Sequence, residues 1–181
     1  MYKLMPELRA ANAIRQAEWD PGDQVDIMWR VNELGGEIGE VCNVLKKLHR
    51  EALAIRGSRA TPQDLANELA DGVICCDLVA MHLKHPALVP RKNEFSHDPK
   101  APALTYLGVR LLSEIGNLAS VIYSNDATEA AVQYHLEMIV GMLLVIAEHQ
   151  DIDLKTAVIW KFNETSTKNN LRTRMPELTV A

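Results

Sequence analysis

Residues 33–40 read ELGGEIGE and residues 68–71 read ELAD. Both stretches lie in segments with helical periodicity, where acidic residues three or four positions apart share one face of a helix. A turn between the two segments favours an antiparallel hairpin of two helices. At about 1.5 Å of helix per residue, the register of this hairpin brings the two acidic faces to the same height. We therefore predict a helix pair built around a common acidic face.

Four carboxylates meet on that face in the predicted register. Glu68 lies opposite Glu40, and Asp71 lies opposite Glu37. Like charges at contact distance repel by about 1 kcal/mol in water, and by several times more where solvent is excluded. A hard cation such as Mg²⁺ or Mn²⁺ prefers oxygen ligands and would relieve this repulsion. The alternative is a solvated acidic face, which the apolar flanking residues argue against.

The spacing of the carboxylates carries a family resemblance. The order is Glu37-x-x-Glu40, then 27 residues, then Glu68-x-x-Asp71. This pattern resembles the metal-binding signature of the MazG-like, all-α nucleoside triphosphate pyrophosphatases, a superfamily that includes dCTP pyrophosphatases and dimeric dUTPases. The chain departs from the pattern at Gly36, where the family often carries a further glutamate.

The resemblance implies a hydrolase that depends on Mg²⁺, with Mn²⁺ as a substitute, and converts a nucleoside triphosphate to a monophosphate and pyrophosphate. Glu37, Glu40, Glu68 and Asp71 would hold the metal, and Glu37 would also orient or deprotonate the attacking water. A small single chain with a degenerate second half resembles the phage (d)GTP pyrophosphatases of the MazZ type, so dGTP or GTP is the expected substrate. A dUTP or dCTP pyrophosphatase of the same superfamily is the alternative.

Substrate contacts are expected from the first helix. Asn12, Arg15 and Trp19 fall on one face of a helix predicted to end at Trp19, and they precede the first acidic stretch. In a nucleotide site, Trp19 would stack on a base and Asn12 would read the edge of that base. Packing in the core is an equally good interpretation of Trp19.

A basic segment late in the chain resembles the late basic motif of the same superfamily. It contains Lys161 and Asn163 within IWKFNE, followed by Lys168. The resemblance implies that these side chains contact the substrate phosphates. A solvated face on a terminal helix is the alternative for the two lysines.

The 181 residues are predicted to form a single all-α domain. Its core would be a four-helix bundle of two helical hairpins, with an additional N-terminal and C-terminal helix. Four parts are expected: the metal-carrying half (1–84), a proline-rich linker (85–103), a degenerate second half (104–170) and a polar, mobile tail (171–181).

Helix boundaries are predicted from capping residues. Asp23 is expected to cap a second helix over residues 24–51, which would bury Met28. Thr61 followed by Pro62 marks the start of the third helix. Asp126 with Glu129 suggests a capping box for the fifth helix, and Asp153 a cap for the sixth.

The second hairpin resembles a degenerate copy of the first. EIGE at residues 37–40 aligns with EIGN at 114–117, and ELADG at 68–72 aligns with EMIVG at 137–141. Asn117 and Val140 then replace Glu40 and Asp71, while Glu114 and Glu137 are retained. We therefore predict one metal site per chain, with Glu137 reaching solvent or a cation, or else protonated.

Composition excludes several functions. A net charge of −5 argues against a nucleic-acid binder. The three cysteines lie in apolar helical segments without a CxxC pair, which favours reduced thiols in the cytoplasm, or in the host cytoplasm if a phage encodes the chain. No signal peptide is evident, and the apolar run at 138–147 is too short to span a bilayer.

Because this run exceeds what one bundle face can cover, a homo-oligomer, either a dimer or a tetramer, is expected.

Two other classes share parts of this pattern. A ferritin-like di-iron bundle also lines its core with carboxylates, but it requires Glu-x-x-His pairs, and neither acidic stretch contains one. A helical dimerisation module without catalytic activity is the second alternative. Mg²⁺ binding without turnover of any nucleotide would distinguish this module from the hydrolase.

Overall fold

The computed structural model describes residues 1–92, 103–124 and 128–176, and regular secondary structure in these ranges is helical. The helices are α1 (Leu4–Trp19), α2 (Ile27–Ala52), α3 (Pro62–His82), α4 (Leu104–Tyr123), α5 (Glu129–His149) and α6 (Leu154–Lys168). Since the described ranges contain no strand, the predicted all-α class is confirmed.

Helix α3 lies at the centre of the bundle. It contacts α1, α2, α5 and α6, while α4 packs against α2 and α5. The two predicted hairpins, α2 with α3 and α4 with α5, therefore form a four-helix core to which α1 and α6 are added on α3. Nearly every residue of α3 from Leu65 to Ala80 is buried, because its sequence is apolar on most sides.

Local chemistry explains where α3 and α6 begin. Thr61 and Asp64 cap each other's backbone N–H groups, and Pro62 occupies the first turn of α3. Asp153 accepts hydrogen bonds from both the backbone N–H and the hydroxyl of Thr156 at the start of α6. Both predicted caps are confirmed.

The start of α2 corrects a prediction. Asp26, rather than Asp23, caps this helix by accepting the Trp29 backbone N–H at 2.8 Å. The reason lies upstream, where the Asp20 carboxylate accepts the N–H groups of Gln24 and Val25 and holds them in a turn. The helix consequently begins at Ile27, and Met28, which was predicted to be buried, is 49% exposed.

Helix α5 forms much of the bundle interior. Thr128 caps it through the Ala131 N–H, whereas the predicted cap Asp126 lies outside the described residues. Of the described helices, α5 is long and apolar enough to cross a membrane by composition alone, but 67% of its most apolar window is buried inside the protein. Such burial is typical of the core helix of a soluble bundle.

The apolar run at 138–147 is covered within a single chain. All of its residues except Leu144 are buried, because α3, α4 and the segment before α4 pack around it. The expectation that one bundle could not cover this run is therefore wrong. Homo-oligomerisation stays a prediction, but this run no longer supports it.

The predicted linker begins as an ordered strap, defined here as residues 85–92. Leu88 is buried, and the Arg91 backbone N–H donates to the Glu137 carbonyl at 3.1 Å. Arg9 donates to the carbonyl groups of His85 and Pro86 and so ties the beginning of the strap to α1. This first part of the linker packs on the bundle, and residues 93–102 lie outside the described residues.

Gly141 is where the strap comes closest to α5, and Gly141→Ala is expected to destabilise the protein. A Cβ atom there would lie 2.7 Å from the Arg91 carbonyl carbon, so the backbone of the strap would have to move. Overpacking of this kind costs about 1–3 kcal/mol, partly offset by the better helix propensity of alanine. We expect a net loss of about 1–2 kcal/mol in the free energy of unfolding, measured by urea denaturation.

Gly36→Ala is the matched control in another helix. Apart from its chain neighbours and the backbone of its own helix, no described atom comes within 4 Å of a Cβ at this position, so the substitution is expected to raise the free energy of unfolding by about 0.5–1 kcal/mol. If Gly141→Ala were as stable as Gly36→Ala, the close packing of the strap on α5 would be incorrect.

Candidate metal centre

Three carboxylates converge between α2 and α3. Oxygen atoms of Glu37, Glu40 and Glu68 lie within 4.8 Å of one another. The Glu68 carboxyl group is hydrogen-bonded to that of Glu40, and Asp71 is the charged neighbour with the largest effect on Glu37. These are the pairings that the hairpin register predicts, since residues one turn apart on each helix meet across the interface.

The electrostatics of this cluster disfavour full ionisation. Burial is the main cause that raises the pKa of Glu37 to about 7, followed by the charges of Asp71 and Glu40. Burial and then the charge of Glu40 raise the pKa of Glu68 to about 7 as well. The site therefore concentrates more negative charge than its own surroundings compensate.

Lys161 of α6 is the nearest cation to these carboxylates in the described part of the chain. Its Nζ atom lies 2.9 Å from Oδ2 of Asp71 and 3.8 Å from Oε2 of Glu164. Burial tends to lower the pKa of Lys161, but the hydrogen bond with Asp71 and the charges of Asp71, Glu164 and Glu68 together outweigh it and leave the pKa raised. The pKa of Asp71 is also raised, because its burial outweighs the same lysine. One lysine thus compensates the cluster only in part.

Glu164 is a site residue that was missed in the sequence. Its two oxygens contact Lys161 and, at 3.0 Å, the Nζ atom of Lys168. In the sequence, Glu164 lies three residues after Lys161 and four before Lys168, and this spacing places all three side chains on one face of a helix. Glu164 belongs to the electrostatic surroundings of Asp71, whose pKa it raises.

The donor set fits a hard divalent cation. Glu37, Glu40 and Glu68 present oxygens at mutual distances that one ion can bridge. Asp71, the fourth predicted ligand, lies outside this group, pairs with Lys161 and acts on Glu37 through its charge. Mg²⁺ and Mn²⁺ favour such oxygen-only surroundings, and Mg²⁺ commonly binds through few carboxylates together with substrate phosphates. The convergence of the carboxylates and the raised pKa values of Glu37 and Glu68 both indicate a site that lacks positive charge.

Asn12 does not face an open site, and Arg15 beside it is largely buried. Asn12 is fully buried, donates to Asp77 at 2.9 Å and accepts from Arg15 at 3.1 Å. Arg15 is 8% exposed and lies 3.7 Å above the Phe162 ring, and burial lowers its pKa to about 10. The expectation that Asn12 reads a base edge is therefore corrected, because both ends of its amide are occupied within the protein.

Trp19 lies at the surface, so its interpretation as a core residue is wrong. It is 41% exposed and contacts Trp29 with ring centroids 5.7 Å apart. The Arg30 guanidinium lies near both rings and is paired with Glu33 at 2.9 Å. Trp29 and Arg30 were missed in the sequence, where their spacing from Trp19 crosses a turn and gives no periodic signal.

A small cavity opens beside this aromatic pair, one helical turn from Glu37. Its volume is about 180 Å³. The residues that line it come from α1, α2, α3, α6 and the tail; they are Arg15, Gln16, Trp19, Arg30, Glu33, Leu78, Thr165, Asn169 and Leu171. Drug-sized ligands occupy about 300–1,000 Å³, so this cavity suits only part of a ligand, such as a base.

The last predicted substrate residues, Asn163 and Lys168, are used differently. Asn163 binds the backbone of Met175 through both amide ends, at 3.0 and 2.8 Å. Lys168 is largely solvent-exposed and pairs with Glu164, as expected of a solvated helix face. These bonds hold the tail in place as far as Met175, which corrects the prediction of mobility for this part; residues 177–181 lie outside the described part.

The second hairpin uses its retained glutamates elsewhere. Glu114 binds Nδ1 of His135 at 2.9 Å. Glu137 is 5% exposed and accepts hydrogen bonds from the Val89 N–H, from Nε of Arg91 at 3.0 Å and from Gln133. The cation expected at Glu137 is thus an arginine of the strap. Each retained carboxylate has a partner of its own, which is consistent with one metal site per chain.

The MazG-like resemblance rests on residues of this chain: the carboxylate spacing and the basic residues of α6. Comparisons with protein-family models, with curated proteins and with solved structures found no match to the chain.

Proposed function

We propose that this chain is a divalent-cation-dependent nucleoside triphosphate diphosphatase. The observation that carries the proposal is the convergence of Glu37, Glu40 and Glu68 within 4.8 Å, beside Asp71 and Lys161. A triphosphate and its accompanying Mg²⁺ bring both the cations that the carboxylates need and the anion that the lysine can bind.

The metal ligands and the proton acceptor belong to one cluster. Glu37, Glu40, Glu68 and Asp71 would hold the cation, which would supply charge neutralisation and activation of water when it is bound. Glu37 would also orient the water and take its proton, because its carboxylate lies within 4.8 Å of those of Glu40 and Glu68, next to where the water would bind. The water oxygen attacks the α- or the β-phosphorus. The bond from that phosphorus to the oxygen that bridges the two breaks, and a monophosphate and pyrophosphate leave.

The base is proposed to occupy the cavity beside Trp19. The exposed face of this ring is available for stacking, and Arg30 is held nearby by Glu33. Gln16 and Asn169 line the same cavity. The oxygen of Gln16 accepts from Arg30 and the nitrogen of Asn169 donates to Thr165, so the opposite end of each amide is the one proposed to contact a base. We propose dGTP or GTP as the substrate, from the resemblance to the phage enzymes, with dUTP or dCTP as the alternative.

A nucleotide hydrolase of this kind would act in the cytoplasm, or in the host cytoplasm if a phage encodes it. Its ligands would be a triphosphate and Mg²⁺ or Mn²⁺, with no nucleic acid or membrane partner. We propose a dimer or a tetramer, because α4 exposes several apolar side chains. Val109 is 64%, Leu112 50% and Tyr123 83% exposed.

The same surface favours a second candidate, a helical dimerisation module without turnover. Exposed apolar residues on one helix suit association, and association alone requires no chemistry at the acidic cluster. In that case the carboxylates would bind Mg²⁺ while every nucleotide stays intact. Turnover therefore separates the two candidates.

The experiment is a panel of ribonucleoside and deoxynucleoside triphosphates, incubated with Mg²⁺ or with excess EDTA and analysed by anion-exchange chromatography. We expect equal amounts of monophosphate and pyrophosphate, with dGTP or GTP consumed fastest, and no products in EDTA. Formation of a diphosphate and phosphate would contradict the proposed bond cleavage. Intact nucleotides with Mg²⁺ bound would favour the dimerisation module.

A further inference from the structure

Lys161 occupies an unusual position for a residue that would bind phosphate. Its side chain is only 17% exposed and is directed at Asp71, one of the proposed metal ligands, at 2.9 Å. Glu68, another proposed ligand, also acts on it electrostatically. The lysine ammonium group therefore lies at the Asp71 edge of the acidic cluster and supplies positive charge to that carboxylate.

We propose that Lys161 is an internal competitor of the metal: it neutralises Asp71 in the metal-free protein and is released from Asp71 when a divalent cation binds. This inference rests on the proposed function and adds a regulatory step to it. The competition weakens binding of the metal alone. It favours binding of the metal together with a triphosphate, whose oxygens receive the released ammonium group.

The surroundings give Lys161 a second position. Oε2 of Glu164 already lies 3.8 Å from the ammonium group, so a small rotation of the flexible side chain exchanges one carboxylate for the other. Lys168 holds the opposite oxygen of Glu164 at 3.0 Å and keeps this carboxylate within reach. Lys161 can thus leave Asp71 without becoming an unpaired, partly buried charge, which would be costly.

Charge balance explains why metal and triphosphate would favour each other. A metal ion alone must displace the ammonium group from Asp71, and this cost reduces its affinity. A triphosphate that arrives with the metal offers the displaced lysine a charge-assisted hydrogen bond in return. By thermodynamic linkage, the triphosphate then tightens the metal to the same extent that the metal tightens the triphosphate.

The test measures Mn²⁺ affinity without nucleotide, by electron paramagnetic resonance of the free ion. Lys161→Met removes the competing charge, and Lys161→Gln removes it while keeping a polar side chain. We expect both variants to bind Mn²⁺ about tenfold more tightly than the wild type. Losing the competition from the Lys161–Asp71 ion pair would then be worth about 1.4 kcal/mol, which corresponds to a factor of ten in Kd. Lys155→Met, which removes a lysine from the first turn of the same helix, is the matched control, with an expected change below about twofold.

Circular dichroism melts accompany the binding data. Metal-free Lys161→Met is expected to melt at a lower temperature than the wild type, and saturating Mn²⁺ should raise its melting temperature by more than it raises that of the wild type. Equal or weaker Mn²⁺ binding by both folded Lys161 variants would overturn this inference alone. If neither the wild type nor any variant bound Mn²⁺, the proposed metal site itself would be wrong.

Discussion

Glu68→Gln is expected to reduce kcat/KM for the preferred triphosphate by about a thousandfold or more. The substitution keeps the size of the side chain but removes one charged ligand from the cluster that Glu37 and Glu40 share with it. A metal site that both positions and activates the reactants contributes several kcal/mol to the transition state, and each 1.36 kcal/mol is a factor of ten in rate. Steady-state kinetics with Mg²⁺, alongside a Mn²⁺ titration, would measure the loss.

Glu137→Gln is the matched substitution at the corresponding position of the second hairpin. Glu137 pairs with Arg91 and with the Val89 N–H of the strap, away from the proposed metal site. Turnover and Mn²⁺ affinity are therefore expected to stay within about threefold of the wild type. Stability should fall by about 2 kcal/mol, less than for a fully buried pair, because the Arg91 side chain is 42% exposed.

The pair of variants tests whether the chain has one metal site. Turnover within tenfold of the wild type in Glu68→Gln would remove Glu68 from the ligand set. Loss of both turnover and Mn²⁺ affinity in a folded Glu137→Gln protein would refute the one-site model. Circular dichroism before each assay separates these outcomes from simple unfolding.

Metal-free protein is expected to lose stability as the pH rises from 5 to 8, and Mg²⁺ should restore it. Glu37 and Glu68 have pKa values of about 7 in the folded chain, against 4.5 as the ordinary value. Between about pH 4.5 and pH 7 the folded state binds more protons than the unfolded state, so the free energy of unfolding falls as the pH rises. Above pH 7 both carboxylates are charged, and the full cost of their repulsion is present.

A bound cation compensates the repulsion between these carboxylates, and it binds most tightly when both carboxylates are deprotonated. At a concentration 100 times its Kd, a ligand adds about 2.7 kcal/mol to the free energy of unfolding. For a chain of this size, that corresponds to a rise in Tm of about 5–10 °C at pH 8, with little change at pH 5. Thermal melts in EDTA and in excess Mg²⁺ at both pH values would measure the difference.

Glu37→Gln is the control for this pH effect. Without the Glu37 charge, the metal-free variant is expected to be more stable than the wild type at pH 8 and similar to it at pH 5. It should also gain less from Mg²⁺. An equal Mg²⁺-induced rise in Tm at pH 5 and pH 8 would show that the acidic cluster is not where the ion binds.

The helices and the acidic pairing could be predicted because they depend on local signals. Periodicity places Glu37 and Glu40 on one face, and a short hairpin leaves little freedom in how Glu68 meets them. Thr61 and Asp153 cap their helices through residues only three positions away. In each case the interacting groups are close in sequence or linked by one turn.

The substrate residues were harder to predict because their partners lie far along the chain. Asn12 has the spacing of a surface residue beside Trp19, yet its amide binds Asp77, which is 65 positions away. Asn163 likewise binds the backbone of Met175 in a tail that composition alone marks as polar. A buried polar network does not produce periodicity, so its members resemble candidate ligands until their partners are known.

The strap also has a consequence for the order in which the chain folds. Its hydrogen bonds to Glu137 join residues 46 and 48 positions apart, whereas each hairpin forms through neighbouring segments. Contacts across such long loops cost more chain entropy, so the strap is expected to dock after α5 has joined the bundle. Variants that disturb it, such as Gly141→Ala, should then accelerate unfolding and leave the folding rate nearly unchanged. The strap would therefore dock late in folding, and its contacts would determine how slowly the folded protein unfolds.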